Sequence, residues 1–482
     1  MEVLRRKYGL WTATAVVVGT VIGSGLFFKA DDVMRNTNGS LVKSLIAWLI
    51  GGLIMVVTAY CFSLMASRVS KVNGVVDYVE LTSNKTIGYS LGWYFATVYY
   101  PILVAILGFV STTFFCTLIQ IPIANENGIM WYVWLIAFAL IVLSFIMNIF
   151  GPRIAGKFQV STTIMKLLPI FFIAIVGTII GIFTGGTKAG FTIPAIPTNT
   201  IGINNSFGLA VLATAFAYEG WVIATSINAE LKNSRVTLPK ALIIGTLIVI
   251  SAYLLYYIGL SSVISNQNVI EYGDNAPIFA IGEILGINSL LSNIGATTFN
   301  FFIVVSCLGT LNGLTLGCCR GVYALAIRNR GPKPKHFSKL SEKSNTSISS
   351  GLFGFFFTVF YLCLWYLAIQ KGVLPGNMDE LAIAFTYSSY LFVFIWMMKN
   401  LKGSNVFQRY VFPILAICGS SFLVLSAVGV VTLIETGDFT TILNFLKFIA
   451  IILPIFIVGL FFRKVQGDDI LSTIEFEEVF DV

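Results

Sequence analysis

The stretch Val16–Phe28 reads V-V-V-G-T-V-I-G-S-G-L-F-F. Its flanks, Leu10–Val18 and Leu26–Phe28, are apolar in the manner of a membrane-spanning helix. Its centre carries Gly19, Gly23 and Gly25, with Thr20 and Ser24 between them. A glycine costs about 1 kcal/mol in a helix interior, so this spacing predicts a helix that comes apart midway. Unwound backbone at membrane depth is tolerated only where it is buried in protein or lines a wet cavity. The break is therefore a candidate binding site, and the rest of the chain a scaffold for it.

Composition agrees with a membrane scaffold. The 482 residues are 57% hydrophobic and 11% charged, against roughly 25% charged in soluble domains. No small-residue cleavage site follows the basic start Met1–Lys7, and the first apolar run is too long for a signal peptide, so it reads as the first span. All seven cysteines fall in apolar runs, where they are expected to pack as small hydrophobes. The single histidine, His336, lies in a basic loop, so zinc ligation and Ser-His or Cys-His catalysis lack parts. The sequence calls for no cofactor and no metal, and it does not read as an enzyme.

Crossing about 30 Å of hydrocarbon takes about 20 apolar residues. Twelve runs qualify: 10–33, 42–67, 87–119, 129–149, 156–183, 206–229, 240–264, 292–324, 348–369, 378–398, 407–433 and 440–462. This predicts an all-α polytopic membrane protein with 12 transmembrane helices. With the N-terminus in the cytoplasm, inner segments carry 22 of the 30 lysines and arginines and outer segments five, among them Lys29. The bias places both termini inside. It also accounts for the basic loop 328–343 without nucleic acid. Residues 1–9 form a cytoplasmic N-terminus and 463–482 an acidic cytoplasmic tail.

The sixth run supplies a second break, A-F-A-Y-E-G-W at Ala215–Trp221, with Gly220 as helix breaker and Glu219 as a carboxylate in an apolar run. Interrupted helices at matching positions of two halves point to a transporter site. Five-helix halves at 10–183 and 206–398 would be inverted copies, because each has an odd number of spans. Runs 11 and 12, at 407–462, are left over.

At these residues the chain resembles the amino acid–polyamine–organocation (APC) superfamily, and within it the L-type amino acid transporter and bacterial serine/threonine exchanger branch. Four segments carry the resemblance: G-T-V-I-G-S-G-L-F at Gly19–Phe27, S-R-V-S-K-V-N-G-V-V-D-Y-V at Ser67–Val79, F-A-Y-E-G-W with A-E-L-K-N-S-R-V-T-L-P-K-A at Ala229–Ala241, and S-C-L-G-T-L-N-G at Ser306–Gly313 followed by Arg320. The resemblance implies a LeuT-like 5+5 inverted repeat with helices 1 and 6 broken. It also implies sodium-independent amino acid transport in the cell membrane, often as an antiporter. Animal members with a glycoprotein subunit carry a cysteine between spans 3 and 4. The loop Gln120–Met130 has none, so no disulfide-linked heavy subunit is expected, and the partners reduce to an amino acid substrate and the bilayer.

Free N–H groups at the start of a half-helix suit a carboxylate. That gives Gly23, Ser24 and Gly25 the substrate's carboxylate. The carbonyls of Gly19, Thr20, Val21 and Ile22, helped by those near Phe216 and Ala217, take its ammonium, as the family also implies. The alternative is that these glycines serve close helix packing. Phe216 matches the family's gating phenylalanine, with Tyr218 and Trp221 weaker candidates and Gly220 shaping the break. Glu219 stands where many relatives have a small residue. It could offset a cationic substrate, bind a transported proton, or pair with a basic residue, Lys166 included. Lys166, too deep in the fifth span to snorkel easily, matches a lysine that occupies a sodium position in related sodium-independent carriers; a structural lysine is the other reading. Tyr99 and Tyr100, in the third span that flanks the site in this fold, are candidate cavity liners with packing as the equal alternative, and Asn312 is a polar residue for a hydrogen bond across the bundle. Neutral substrates are the leading expectation, with a cationic or polyamine carrier, proton coupling through Glu219, and a non-transporting nutrient receptor as alternatives.

Overall fold

The computed structural model describes residues 9–66, 74–194, 206–221, 234–286 and 289–464. The first span is broken. Helix α1 (Leu10–Val21) and α2 (Gly25–Asn36) meet at 57°, with Ile22 in extended geometry between them. Then follow α3 (Leu41–Ala66), the short α4 (Val75–Thr82), α5 (Lys85–Leu118), α6 (Trp131–Phe150) and α7 (Pro152–Thr184). The second half holds α8 (Phe207–Ala217), α9 (Ser234–Tyr272), α10 (Ala276–Leu285), α11 (Leu290–Ala326), α12 (Ile348–Lys371), α13 (Met378–Asn400), α14 (Phe407–Val428) and α15 (Thr440–Phe461). A two-stranded hairpin, Ala124–Asn125 with Gly128–Ile129, joins α5 to α6.

Among the described residues, ten helices are long and apolar enough to cross a membrane, or eleven if the bent pair α1–α2 counts as one span. The sixth run is seen only as α8 and the turn after it, because residues 222–233 lie outside the described residues. So do residues 67–73 of Ser67–Val79 and 229–233 of Ala229–Ala241, the N-terminal residues 1–8 and the tail from 465. Ser234–Tyr272, taken together as α9, is two helical stretches that meet at Ser265, whose backbone is non-helical (φ 65°), so the first stretch ends where the expected run 240–264 does, though it starts six residues earlier. Just past the break, the buried Asn266 amide donates to the carbonyls of Gly190 and Ile193, both at 2.9 Å.

Small residues set the packing distances. Gly317 and Gly321 of α11 lie against Tyr100 and Ala96 of α5, and Gly354 of α12 lies against the Cys318 backbone. Such residues let helices approach where lipid provides no hydrophobic drive between them. The outward stripe of α15, Leu443, Leu446, Leu453, Ile457 and Phe461, is exposed. It follows helical spacing and faces the lipid phase. Five of the seven cysteines are buried, while Cys363 and Cys418 are exposed, and all are free thiols.

Charge is concentrated at the two ends of the bundle. At the α2 end, Lys29 meets Asp379 and Glu380 of α13. At the α4 end, Arg328 pairs with Asp77, and Arg330 makes a fork on Glu80 at 2.9 and 3.2 Å. Loop 328–343, expected to carry only the topological bias, therefore begins inside the protein, with Arg330 2% exposed. The far half of α13 reaches the α4 end, where Phe62 touches both Phe394 and Tyr78.

Removing one partner of a buried ion pair costs roughly 3–5 kcal/mol, because the other charge is left uncompensated. Arg330→Ala is therefore expected to lower the melting temperature of the purified protein. Adding Glu80→Gln should restore part of the loss. A single variant as stable as the parent would show that the fork carries no weight.

Candidate functional site

The two breaks face each other. After α8 ends, Tyr218 N–H donates to Thr214 O (3.1 Å) and Glu219 N–H to Phe216 O (3.2 Å), and Gly220 turns the chain with φ 109°. That dihedral suits glycine, and a Cβ there would also run into the Thr20 carbonyl oxygen. On the other break, a Cβ on Gly25 would lie 2.7 Å from Ala217 Cα and 2.9 Å from the Phe216 ring. The main chains of the two breaks thus pass in contact, which only glycine at position 25 permits.

One side chain ties the breaks together. The hydroxyl of Tyr253, fully buried in α9, donates to Ala217 O at 3.0 Å and lies 3.4 Å from Val21 O. The sequence reading did not single it out. Its signal was present in Tyr253, Tyr256 and Tyr257, whose spacing puts three hydroxyl-bearing rings on one face of an apolar helix. Tyr257 likewise donates to Ala30 O of α2 at 2.8 Å.

The expected donors and acceptors fall out as follows. Gly19, Val21, Ile22, Gly23, Ser24 and Gly25 are buried and Thr20 is half-buried. The N–H groups of Gly23 and Ser24 donate to no backbone carbonyl among the described residues. The carbonyls of Phe216 and Ala217, expected to help with an ammonium, each already accept a bond from within the protein. Thr20 turns its hydroxyl back onto Val16 O and Val17 O. Phe216 meets Phe28 of α2 edge-on, ring centroids 4.9 Å apart. Tyr218 points away from the breaks: its hydroxyl donates to Trp48 O at 2.9 Å, and its ring packs on Trp48 and Tyr253. Trp221 is fully buried between Phe62 and Tyr390.

Glu219 is only partly covered. Its Oε1 accepts from the Tyr99 hydroxyl at 2.5 Å, and its Oε2 has no partner among the described residues. Tyr100 of α5 and Tyr387 and Tyr390 of α13 lie close enough to feel its charge. Tyr99 is aimed there by a π-helical turn, Phe95–Tyr99, just before Pro101. Such turns recur at functional sites.

Lys166 does not pair with Glu219; among the described residues no carboxylate lies within ion-pair distance of it. It is 2% exposed. Gln159, Thr162, Thr163 and Lys166 occupy one face of α7, at spacings of three and four. Thr163 packs on Gly19 and Thr162 on Gly309, while Gln159 accepts from Asn312 at 3.1 Å. Asn312 also donates to Ala155 O and accepts from Asn148, so it joins three helices. Cys307 of α11 is the neighbour that Lys166 and Ser24 share. The lysine therefore stands on the face of α7 that packs, through Thr163, against Gly19 of the first break.

Comparison with known proteins gives this geometry its setting. The serine/threonine exchanger SteT of Bacillus subtilis (strain 168) is 29% identical over 427 residues, covering 87% of this chain and 90% of SteT. The b(0,+)-type amino acid transporter 1 of Mus musculus is 24% identical over 88% of this chain and 83% of its own length. The large neutral amino acids transporter small subunit 2 of Homo sapiens is 28% identical over 73% of this chain and 63% of its own length. The family profile for amino acid permeases runs from residue 8 to residue 469 of this chain. Over that extent the protein belongs to the amino acid permease family, in the APC superfamily and its branch of exchangers and L-type transporters.

Proposed function

We propose that the protein carries amino acids across the cell membrane by alternating access, independently of sodium and as an exchanger. Neutral amino acids are the leading substrates. The observation that carries this reading is the contact of two broken helices, Gly25 on Ala217 and Gly220 on Thr20. Main chain that is unwound, buried and short of partners at membrane depth calls for a polar ligand to complete it. The N–H groups of Gly23, Ser24 and Gly25 hold the substrate's carboxylate, and the carbonyls of Gly19 to Ile22 hold its ammonium. Phe216, with Phe28, covers the ligand. The Lys166 ammonium stands where a coupling cation would otherwise sit, so transport needs no sodium. In this reading the chain has twelve spans, two inverted five-helix repeats, broken first and sixth helices, and both termini in the cytoplasm. It works without a disulfide-linked heavy subunit.

A second reading rests on Glu219. Among the described residues Glu219 has no cationic partner, which is expensive for a carboxylate in the membrane, and its Oε2, without a bond there, leaves a place for one. The cation would be a basic side chain of the substrate, the amine of a polyamine, or a transported proton. A receptor that binds without transporting would keep the same site.

Counterflow of radiolabelled amino acids into proteoliposomes separates these readings. Serine, alanine and leucine should exchange, and replacing sodium with choline should leave the rate unchanged; dependence on sodium would refute the role of Lys166. Overpacking costs roughly 1–3 kcal/mol, so Gly25→Ala is expected to slow exchange by about ten- to a hundredfold. Under the second reading, Glu219→Gln changes the pH profile or the competition by lysine and arginine. An unaltered profile and unaltered competition would remove Glu219 from substrate and proton handling.

A further inference from the structure

A polar cavity of about 450 Å³ lies past the last turn of α7, between the short helix Gly186–Thr192, the Ser265 break in α9 and Glu283 of α10. Small-molecule sites run from roughly 300 to 1,000 Å³, so the space exceeds what a bare ion would fill. Glycines press its walls together: Gly181 and Gly186 pack on Ser262, and Gly190 on Ser261. The Asn266 side chain is committed to the wall, since its amide donates to the carbonyls of Gly190 and Ile193 and its Oδ1 accepts from Ser261. Ser262, 4% exposed, is not: its Oγ has no partner among the described residues, and neither has the buried Oε1 of Gln267. Both residues line the cavity. Buried polar atoms are normally bonded, so two open ones on one wall point to an occupant.

Depth and charge narrow the choice of occupant. The cavity stands at the level where the apolar runs 156–183 and 240–264 end, which is the head-group layer of a bilayer. Ile182 and Phe183, at the end of α7, and Ile193, on the cavity wall, are exposed. A polar space beside lipid-facing apolar residues fits a molecule with a polar head and a hydrocarbon tail. Among the described lining residues Glu283 is charged and none is basic; Lys188, on the same short helix, is exposed and does not line the space. An anionic head without an amine would set its charge against Glu283. A choline head has no N–H and leaves Glu283 and Gln267 Oε1 without hydrogen bonds. An ethanolamine head offers N–H donors to both acceptors, and its phosphate accepts from the Ser262 hydroxyl.

We propose that this cavity binds the ethanolamine head group of a membrane phospholipid. The ammonium lies between Glu283 and Gln267, the phosphate takes the Ser262 hydroxyl, and the tails run along the exposed residues at the end of α7. The lipid thereby bridges α7, α9 and α10. Since α9 also carries Tyr253 and Tyr257, the lipid braces the helix that ties the two breaks. The inference rests on the chain's place in a membrane and not on the transport reading.

Native mass spectrometry of the full chain, delipidated in detergent, tests this. Phosphatidylethanolamine, phosphatidylcholine and phosphatidylglycerol with matched acyl chains are titrated in separately. The parent should retain the first about tenfold better than the other two, the scale of a hydrogen bond to a charged group. Glu283→Gln should remove that preference without lowering retention of phosphatidylglycerol. Ser262→Ala should lower retention of phosphatidylethanolamine about threefold, the scale of one neutral donor. Both variants should melt at the parent's temperature when lipid-free, which keeps the losses local. A parent without preference, a preference that survives Glu283→Gln, or retention untouched by Ser262→Ala would each overturn the proposal. So would displacement of the lipid by an equal concentration of soluble phosphoethanolamine, which would make the site one for a free ligand. The readout needs no substrate, so its failure is distinguishable from failure of the transport reading.

Discussion

Buried main chain without hydrogen-bond partners is the constraint around which this protein is arranged. Two helices stop inside a layer that offers no water, and each stop leaves N–H and C=O groups that hydrocarbon cannot satisfy. The fold answers by bringing the stops together. Gly25 allows backbone to touch backbone at Ala217, Gly220 turns past the Thr20 carbonyl, and the Tyr253 hydroxyl bridges the two ends. Among the described residues, the N–H groups from Gly23 to Leu26 donate to no backbone carbonyl, and they lie in one place. A site of this kind is made of main chain first, with side chains around it as supports.

The supports divide by chemistry. Neutral hydroxyl-to-carbonyl bonds from the tyrosines of α9 fix the half-helices without adding charge. Amide and hydroxyl contacts along one face of α7 seat Lys166 against α1 and α11. Ion pairs are kept for the two ends of the bundle, where water is near and where desolvating a charge costs least. Glu219 is an exception, a carboxylate near mid-bundle whose one bonded side chain among the described residues is a neutral phenol. Apart from Lys166 and Glu219, the described side chains that brace the breaks are neutral, and the ion pairs lie towards the ends of the bundle.

Much of this was legible in the residues. Gly19, Gly23 and Gly25 announced the first break, and Gly220 the second, because glycine's helix penalty acts locally and needs no knowledge of neighbours. The apolar runs gave span positions for the same reason. What the sequence withheld was pairing. Lys29 and Arg330 counted as loop charges until the structure placed carboxylates from distant helices against them, and nothing in a local window encodes a contact across hundreds of residues. Tyr253 hid for the opposite cause: a tyrosine in an apolar run packs well enough to need no other explanation. Tyr218 showed the converse error. Its place in the second break suggested a ligand contact, but its ring turned into the core against Trp48.

The π turn at Phe95–Tyr99 has a consequence for the phase of α5. In a regular helix each residue advances about 100° around the axis, so positions five apart point to different sides. Widening the turn to an i→i+5 bond brings such positions into line. Tyr94 and Tyr99 are five apart. The first donates to Ala382 O of α13 and the second to Glu219. One extra residue in the turn thus lets a single helix address both partners, with its two halves out of register by that residue. Deleting any one residue between 95 and 99 would return α5 to uniform winding and rotate everything on one side of the turn. Chain length at this point, more than the identity of any side chain, sets which way Tyr99 looks.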